Sequence, residues 1–248
     1  MSFKKLKFKF HHLDYTTSTN IHALKAAKEE SVDEGFVYLA QHQTEGRGQR
    51  GTKWYAEAAS SLLFSIILRP SLRADEQFLL SQCIALGIYR YIDNLSVDEV
   101  NVKWPNDILV EGKKVAGTLI ENVLSGNRIQ YSVIGVGLNV NQTNFPEFSR
   151  EATSLKLLRG IEFDLDLELE SLLDFINSSY ALLQQKEYVR IQKDYLECLY
   201  GYRKKIRFKD SEGLFVGKIT ALLPTGVIAI DREGLSKTYD MKEVQFID

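Results

Sequence analysis

The sequence predicts an α/β (α+β) fold, with a central mixed β-sheet flanked by helices and a small SH3-like β-barrel after it. Three observations carry this. Apolar strand-like runs are interspersed with helical patterns as far as about residue 199. Beyond about residue 200 only short strands remain, separated by the turn signals SEG, PTG and REG. The chain has 248 residues, 44% of them hydrophobic, which suits a large unit with a small one attached. The boundary is expected near Leu199–Gly201, giving units of residues 1–199 and 200–248.

The elements follow in order. Residues 3–10 read as an edge strand with Phe3, Leu6, Phe8 and Phe10 as its apolar positions. TTSTN (16–20) precedes the helical IHALKAAKEE, and the hydroxyl of Ser18 or Thr19 is placed to accept a free N–H of the first turn. FVYLAQ (36–41) is a short strand entering a glycine-rich loop. SLLFSIIL (61–68) is apolar enough to be a strand buried on both faces. Asp75 to Leu95 places Phe78, Leu79, Gln82, Cys83, Leu86 and Tyr89 at helical spacings. NVKWPNDILV (101–110) is a strand broken at Pro105, EGKK (111–114) a hairpin turn, and KVAGTLIENV the returning strand. IQYSVIGVGLNVN (129–141) is another strand, and Leu165 through Tyr195 is mainly helical. KKIRFKD, LFVGKITALL, GVIAID, SKTYD and EVQFI are the terminal strands.

Composition narrows the function classes. Charged residues are 26% of the chain and the net charge is -2, which disfavours a globally basic nucleic-acid binder. KKIRFK (204–209) reads as a solvated strand face or a protein contact rather than a DNA or RNA site. There is no signal-peptide pattern and no apolar run long enough for a bilayer. Cys83 and Cys198 sit in helical patterns and are expected in the core. His11, His12, His22 and His42 show no metal spacing and are expected to be solvent-facing or structural. A cytoplasmic protein with no membrane partner is expected.

QTEGRGQRGTKW (43–54) carries glycines at 46, 48 and 51 with Arg47, Arg50 and Lys53 between them. A phosphate loop needs G-x-x-x-x-G-K-[ST]; Gly46 and Gly51 have the spacing, but Thr52-Lys53 reverses the order of hydroxyl and ammonium. The dinucleotide pattern G-x-G-x-x-G matches at 46–51, yet Lys53-Trp54 leads toward another strand instead of a helix. What remains is an irregular loop offering N–H and guanidinium groups to an anion, or a solvated turn. VKWPNDILVEGKKVAGTLIEN (102–122) is more particular. It gathers Lys103, Trp104, Asn106, Asp107, Lys113 and Lys114 around a proline break and a hairpin. Asn106 and Asp107 suit a sugar hydroxyl, a base edge or a magnesium ion, with a β-turn as the plain alternative.

Together with TTSTN, GKKVAG (112–117), GVGLNVN (135–141) and the terminal barrel, these stretches resemble the biotin protein ligases, also called biotin–[acetyl-CoA-carboxylase] ligases. The resemblance runs over nearly the whole chain. With only about fifteen residues before TTSTN, it points to the monofunctional form without the DNA-binding domain of repressor-type members. It implies that biotin and ATP (as the Mg2+ complex) condense to biotinyl-5′-AMP and pyrophosphate. The biotinyl group then passes to a lysine of a biotin carboxyl carrier domain. Some members pair as homodimers through the central sheet. The nearest alternative is a lipoate or octanoate ligase or transferase of the same broad fold, but that group's arginine-rich, triple-glycine motif has no counterpart here.

The resemblance also implies roles. Ser18, Thr19, Asn20 and Gln43 match biotin contacts. Gly46 to Arg50, including Gly48 and Gln49, match a loop closing over biotin and the adenylate, with Arg47 at the carboxylate or phosphate. Trp54 matches an aromatic near adenine. Asn106 matches an adenylate contact, Asp107 a magnesium or ribose contact, and Asn139 a nucleotide contact. Lys114 aligns with the catalytic lysine, and Lys103 is a lesser candidate for phosphate. Gly117, Gly135 and Gly137 fit backbone approaching the ligand. Gln49 stands where a second arginine is common, and Thr52 where another is frequent. The glycine loop is expected to be mobile when empty and ordered by ligands.

Overall fold

The computed structural model describes residues 5–29, 32–147, 150–241 and 243–247. Its main sheet has seven strands: β1 (Lys9–Thr16), β2 (Phe36–Gln43), β3 (Ser61–Leu68), β4 (Val100–Lys103), β5 (Asp107–Val110), β6 (Lys113–Ser125) and β7 (Arg128–Asn139). Their order is β1-β2-β3-β7-β6-β5-β4. β1 and β2 run parallel and the other neighbours antiparallel, so the sheet is mixed.

β3 is buried along its whole length, and strand alternation decides what covers each face. Leu62, Phe64, Ile66 and Leu68 join the large core beneath α2 (Gln77–Asp93), α4 (Leu165–Gln184) and α5 (Tyr188–Glu197). Ile67 joins a smaller core in which α1 (Thr19–Glu29) lays Ala23 and Ala26 on Tyr38 and Val133. A short helix, α3 (Leu155–Arg159), is capped by Ser154, whose Oγ accepts from Leu157 N, and stopped by Gly160 at φ 71°.

The hairpin turn between β5 and β6 falls where expected, with positive φ at Glu111 (50°) and Gly112 (76°), as a tight two-residue connection requires. The first strand is shifted. β1 starts at Lys9, and Phe3 lies outside the described residues. Ahead of it, the Leu6 backbone is served by a side chain instead of a ladder. Leu6 N donates to Asn177 Oδ1 at 3.3 Å and Asn177 Nδ2 donates to Leu6 O at 3.2 Å.

Five further strands form a second, antiparallel sheet: β8 (Lys205–Asp210), β9 (Gly213–Leu222), β10 (Ile228–Arg232), β11 (Leu235–Tyr239) and β12 (Gln245–Ile247). Their order is β11-β10-β9-β8-β12, so no ladder joins β11 to β12 among the described residues. This sheet is tied to the strand break in the main one. Trp104 Nε1 donates to Gly226 O at 2.9 Å, and Tyr200 N donates to Val102 O at 2.8 Å. Cys83 and Cys198 are buried and unbridged, and burial pushes the Cys198 thiol up to about 12. His11, His22 and Tyr38 pack together, with the two imidazoles 5.7 Å apart. Among the described residues, no helix is long and apolar enough to cross a membrane.

Candidate active site

A cavity of about 390 Å³ opens on the α1 face of the main sheet. Register explains its floor. Leu63, Gly137, Gly117 and Asp107 form one row across four strands, and Ser65, Gly135 and Leu119 form the next. The period of two in G-V-G (135–137) puts both glycines on the same face. The three glycines line the cavity and also make room for the protein's own side chains. A Cβ on Gly137 would lie 2.4 Å from the Trp54 ring, one on Gly135 2.2 Å from Asn20 Oδ1, and one on Gly117 3.1 Å from Trp54 Cζ3.

Ser18, Thr19 and Asn20 enter the cavity from the start of α1 and are all buried. The first turn of α1 also draws on a more distant side chain. Thr19 N donates to Gln43 Oε1 at 2.7 Å, so a first-turn donor is met by a side chain from the end of β2. This commits the Gln43 carbonyl. Ser65 Oγ donates to Asn20 Oδ1 at 2.6 Å and stands 2.8 Å from Thr19 Oγ1. Asn20 Nδ2 donates to Leu119 O and, at 2.8 Å, to Glu121 Oε2. With both ends of its amide bonded, Asn20 is a strut between α1 and β6.

The glycine loop is folded on itself. Arg47 and Lys53 form an antiparallel bridge around a 3₁₀ turn at Gln49–Gly51. Gly48 N donates to Thr52 O at 2.7 Å and Trp54 N to Gly46 O at 2.8 Å. These N–H groups are spent within the loop, so it presents fewer to an anion than its glycines suggest. Gly46 is not on the cavity wall. It is buried, and a Cβ there would meet Trp54 O at 2.5 Å. The side chain of Arg50 lies outside the described residues. Arg47, Gly48, Gln49 and Trp54 all line the cavity.

Lys114 Nζ is 2.7 Å from Asp107 Oδ1 and 5.3 Å from the centre of the Trp54 ring. Asn106 Nδ2 donates to Thr118 O at 2.6 Å, pinning the proline break to β6. Asn139 Nδ2 donates to Thr153 O at 3.0 Å. Among the described residues, two buried polar atoms of cavity-lining side chains have no protein partner, the acceptor Asn139 Oδ1 and the donor Trp54 Nε1. Buried polar groups are normally paired, so these two stand out in the wall.

The wall carries five cations among the described residues, Arg47, Lys53, Lys103, Lys114 and Arg150, against the one carboxylate of Asp107. Desolvation lowers the Lys103 pKa to about 8; Arg150 and Lys114 push the same way and Asp107 opposes them. Sequence reasoning missed Ser65 and Arg150. A serine inside an otherwise apolar strand was the signal for the first. Arg150 follows an irregular stretch and had no local signal.

A model of the biotin/lipoate A/B protein ligase family matches residues 13–139. The bifunctional ligase/repressor BirA of Bacillus subtilis (strain 168) is 29% identical over 213 residues, 84% of this chain and 66% of that protein. The biotin--[acetyl-CoA-carboxylase] ligase of Paracoccus denitrificans is 37% identical over 130 residues, 50% of this chain and 52% of that protein. The chain thus spans about half to two thirds of the length of these relatives. The structure of biotin protein ligase from Aquifex aeolicus in complex with biotin and ATP superposes with a TM-score of 0.77. It covers 96% of this chain and 99% of that one at 26% identity.

Proposed function

The chain belongs to the biotin/lipoate A/B protein ligase family, and from that premise we propose that it activates biotin as biotinyl-5′-AMP and transfers it to a lysine of a carrier domain. The observation that carries this reading is the cavity's charge, five cations to one carboxylate beside a buried hydroxyl–amide cluster. An acid and a nucleotide triphosphate repel each other in water. A wall of fixed cations lowers the cost of bringing them together and stabilises the charge that develops.

In the first step a biotin carboxylate oxygen bonds to the α-phosphorus, the bond from that phosphorus to the β-phosphate's bridging oxygen breaks, and pyrophosphate leaves with the electron pair. Arg47 steers the carboxylate, and Lys114, aimed by Asp107 at 2.7 Å, takes the α-phosphate charge. Ser18, Thr19 and the Nε2 of Gln43 face the polar end of biotin, with Asn20 as the strut that holds them. Trp54 and Asn139, both on the cavity wall, take the adenine. In the second step the carrier lysine's amine attacks the mixed-anhydride carbonyl, the C–O bond breaks, AMP departs and the amine loses a proton. Lys114 then polarises the carbonyl. In this reading residues 1–199 are the catalytic unit and residues 200–248 its terminal partner.

Magnesium enters as part of the nucleotide substrate. Among the described residues no cluster of three or more His, Cys, Asp or Glu could hold a metal, and Asp107 alone offers a carboxylate at the wall. One carboxylate plus phosphate oxygens and water is an ordinary set for magnesium.

ATP–pyrophosphate exchange with biotin, lipoate or octanoate as the sole acid tests the reading. Exchange with biotin alone is expected. Exchange with lipoate alone would move the chain to the other branch of its family, and silence with every acid would remove the adenylating activity.

A further inference from the structure

The terminal sheet carries a cationic face. From residue 203 to residue 209 the chain has Arg203, Lys204, Lys205, Arg207 and Lys209 and no carboxylate. Strand alternation puts Lys205, Arg207 and Lys209 of β8 on one side, with Phe208 buried on the other. Antiparallel register sets Lys218, Val216 and Leu214 of β9 directly across from them. Val216 is 53% exposed and Leu214 70%, so an apolar strip runs beside the charges. Among the described residues, Lys205, Arg207, Lys209 and Lys218 make no ion pair or side-chain hydrogen bond. Lys205 and Lys218 are direct cross-strand neighbours, where like charges repel. Asp231, in register with Lys218, is engaged in the β10–β11 turn, where its Oδ1 accepts from Gly234 N at 2.7 Å.

A surface of opposite character lies at the start of α4. From residue 160 to residue 185 the chain has Glu162, Asp164, Asp166, Glu168, Glu170 and Asp174 and no lysine or arginine. Glu162 pairs with Lys156 at 3.2 Å and Asp174 with Lys5 at 2.7 Å. Glu168 accepts from the Tyr91 hydroxyl, and Asp164 caps the helix. Asp166 and Glu170 are exposed and have no cation partner among the described residues. They stand one helical turn apart, a spacing at which like charges repel. Leu167 lies between them in sequence and is 63% exposed.

We infer that copies of this chain join through these two surfaces, the cationic face of β8 and β9 in one receiving the acidic start of α4 in the next. Each surface carries what the other lacks, unpaired charge of one sign beside exposed apolar side chains. Each also holds like charges close together, so the contact relieves repulsion on both sides as it forms new pairs. Val216, Leu214 and Leu167 supply apolar area that leaves water. The two surfaces differ, so the contact is heterologous. Copies add head to tail unless a two-fold axis makes the contact twice and closes a pair. None of these residues lines the cavity or belongs to the central sheet, and the inference does not depend on the proposed activity. Exposed ion pairs are weak and screened by salt, which makes this a reversible association with Kd of about 10 µM or weaker.

Sedimentation equilibrium of the full chain from about 5 to about 300 µM tests the contact. The average mass is expected to rise with concentration at low salt and to fall to that of one chain at about 0.5 M NaCl. Arg207→Glu combined with Lys209→Glu should raise Kd at least about thirtyfold, since it sets like charges against each other. Asp166→Asn combined with Glu170→Lys should do the same; asparagine is chosen at 166 because a cation there would oppose the helix dipole. An equimolar mixture of the two double variants should associate again, because each still offers the intact surface that the other lacks. All four positions are exposed, so Tm should hold within about 4 °C. Should a double variant fail to fold, Lys205→Glu and Glu170→Lys as single changes decide in the same way. The inference is overturned if wild-type protein stays a single chain at low salt, if either double variant associates as wild type does, as pairing through the central sheet would allow, or if the mixture stays dissociated.

Discussion

Arg47 and Glu121 stand 3.4 Å apart, guanidinium to carboxylate, although 74 residues separate them in sequence. The second oxygen of Glu121 accepts from Asn20 Nδ2 at 2.8 Å. One carboxylate therefore joins the glycine loop, β6 and the start of α1. Because Arg47 is the group proposed to meet the acid, Glu121 occupies it while no substrate carboxylate is present.

Glu121→Gln should release Arg47 and keep the bond to Asn20 through the amide oxygen. The pair is partly exposed and is worth no more than about 1 kcal/mol, so Tm should fall by no more than about 4 °C. Limited trypsin digestion is the sharper measurement. Cleavage at Arg47 or Lys53 should quicken several-fold in the variant. Saturating biotin with ATP should suppress it in both proteins, as loop closure requires. Equal cleavage rates without ligand would show that Glu121 does not restrain the loop.

Gly137→Ala probes the floor. β7 is held on both sides by β3 and β6, so its backbone has little room to move. The new methyl would sit 2.4 Å from Trp54 Cε2, and the ring must tilt away. Overpacking of this kind costs about 1–3 kcal/mol. With Trp54 displaced, KM for ATP should rise about tenfold or more while biotin affinity holds within about twofold. An unchanged KM for ATP would remove Trp54 from the nucleotide site.

The fold was legible where local chemistry decides it. SLLFSIIL matches β3 residue for residue because a strongly apolar run of this length suits a strand covered on both faces. EGKK reads as a turn because glycine tolerates the φ of 76° found at Gly112. The convergence of motif residues was legible too, since Lys114, Arg47 and Trp54 do share one cavity. Ser65, Glu121 and Arg150 were not, because each takes its meaning from a partner far off in sequence. Nor was the packing of Gly46 and Gly137 legible, for the same reason. Both yield space to Trp54, a contact that spacing does not reveal.

Gln49 lines the cavity and carries no charge where the resemblance favours an arginine. Gln49→Arg would add a sixth cation to the described wall. Slower release of biotinyl-AMP is expected, by about threefold to tenfold for one partly solvated charge contact. Stopped-flow dissociation of the preformed adenylate measures this directly. An off-rate equal to wild type would mean that residue 49 does not reach the intermediate.

Lys103 gives the chain a pH signature. Its pKa falls from the ordinary 10.5 to about 8, chiefly by desolvation, then through Arg150 and Lys114, with Asp107 opposing. The lysine is cationic below about pH 8 in both folded and unfolded chains, and there the fold bears the cost of a half-buried charge. Between about 8 and 10.5 the folded chain has released the proton and the unfolded chain still holds it, so stability should rise with pH across that window. Polyphosphate acts in the opposite sense. It favours the cation, so binding above pH 8 must take up a proton, and affinity must weaken as pH rises. Calorimetry of ATP binding at pH 9 in buffers of different ionisation enthalpy should report uptake of up to about one proton. Lys103→Arg, which stays charged at every accessible pH, should abolish the uptake and flatten the affinity profile. If wild-type protein binds ATP with no proton uptake at pH 9, Lys103 does not face the phosphates.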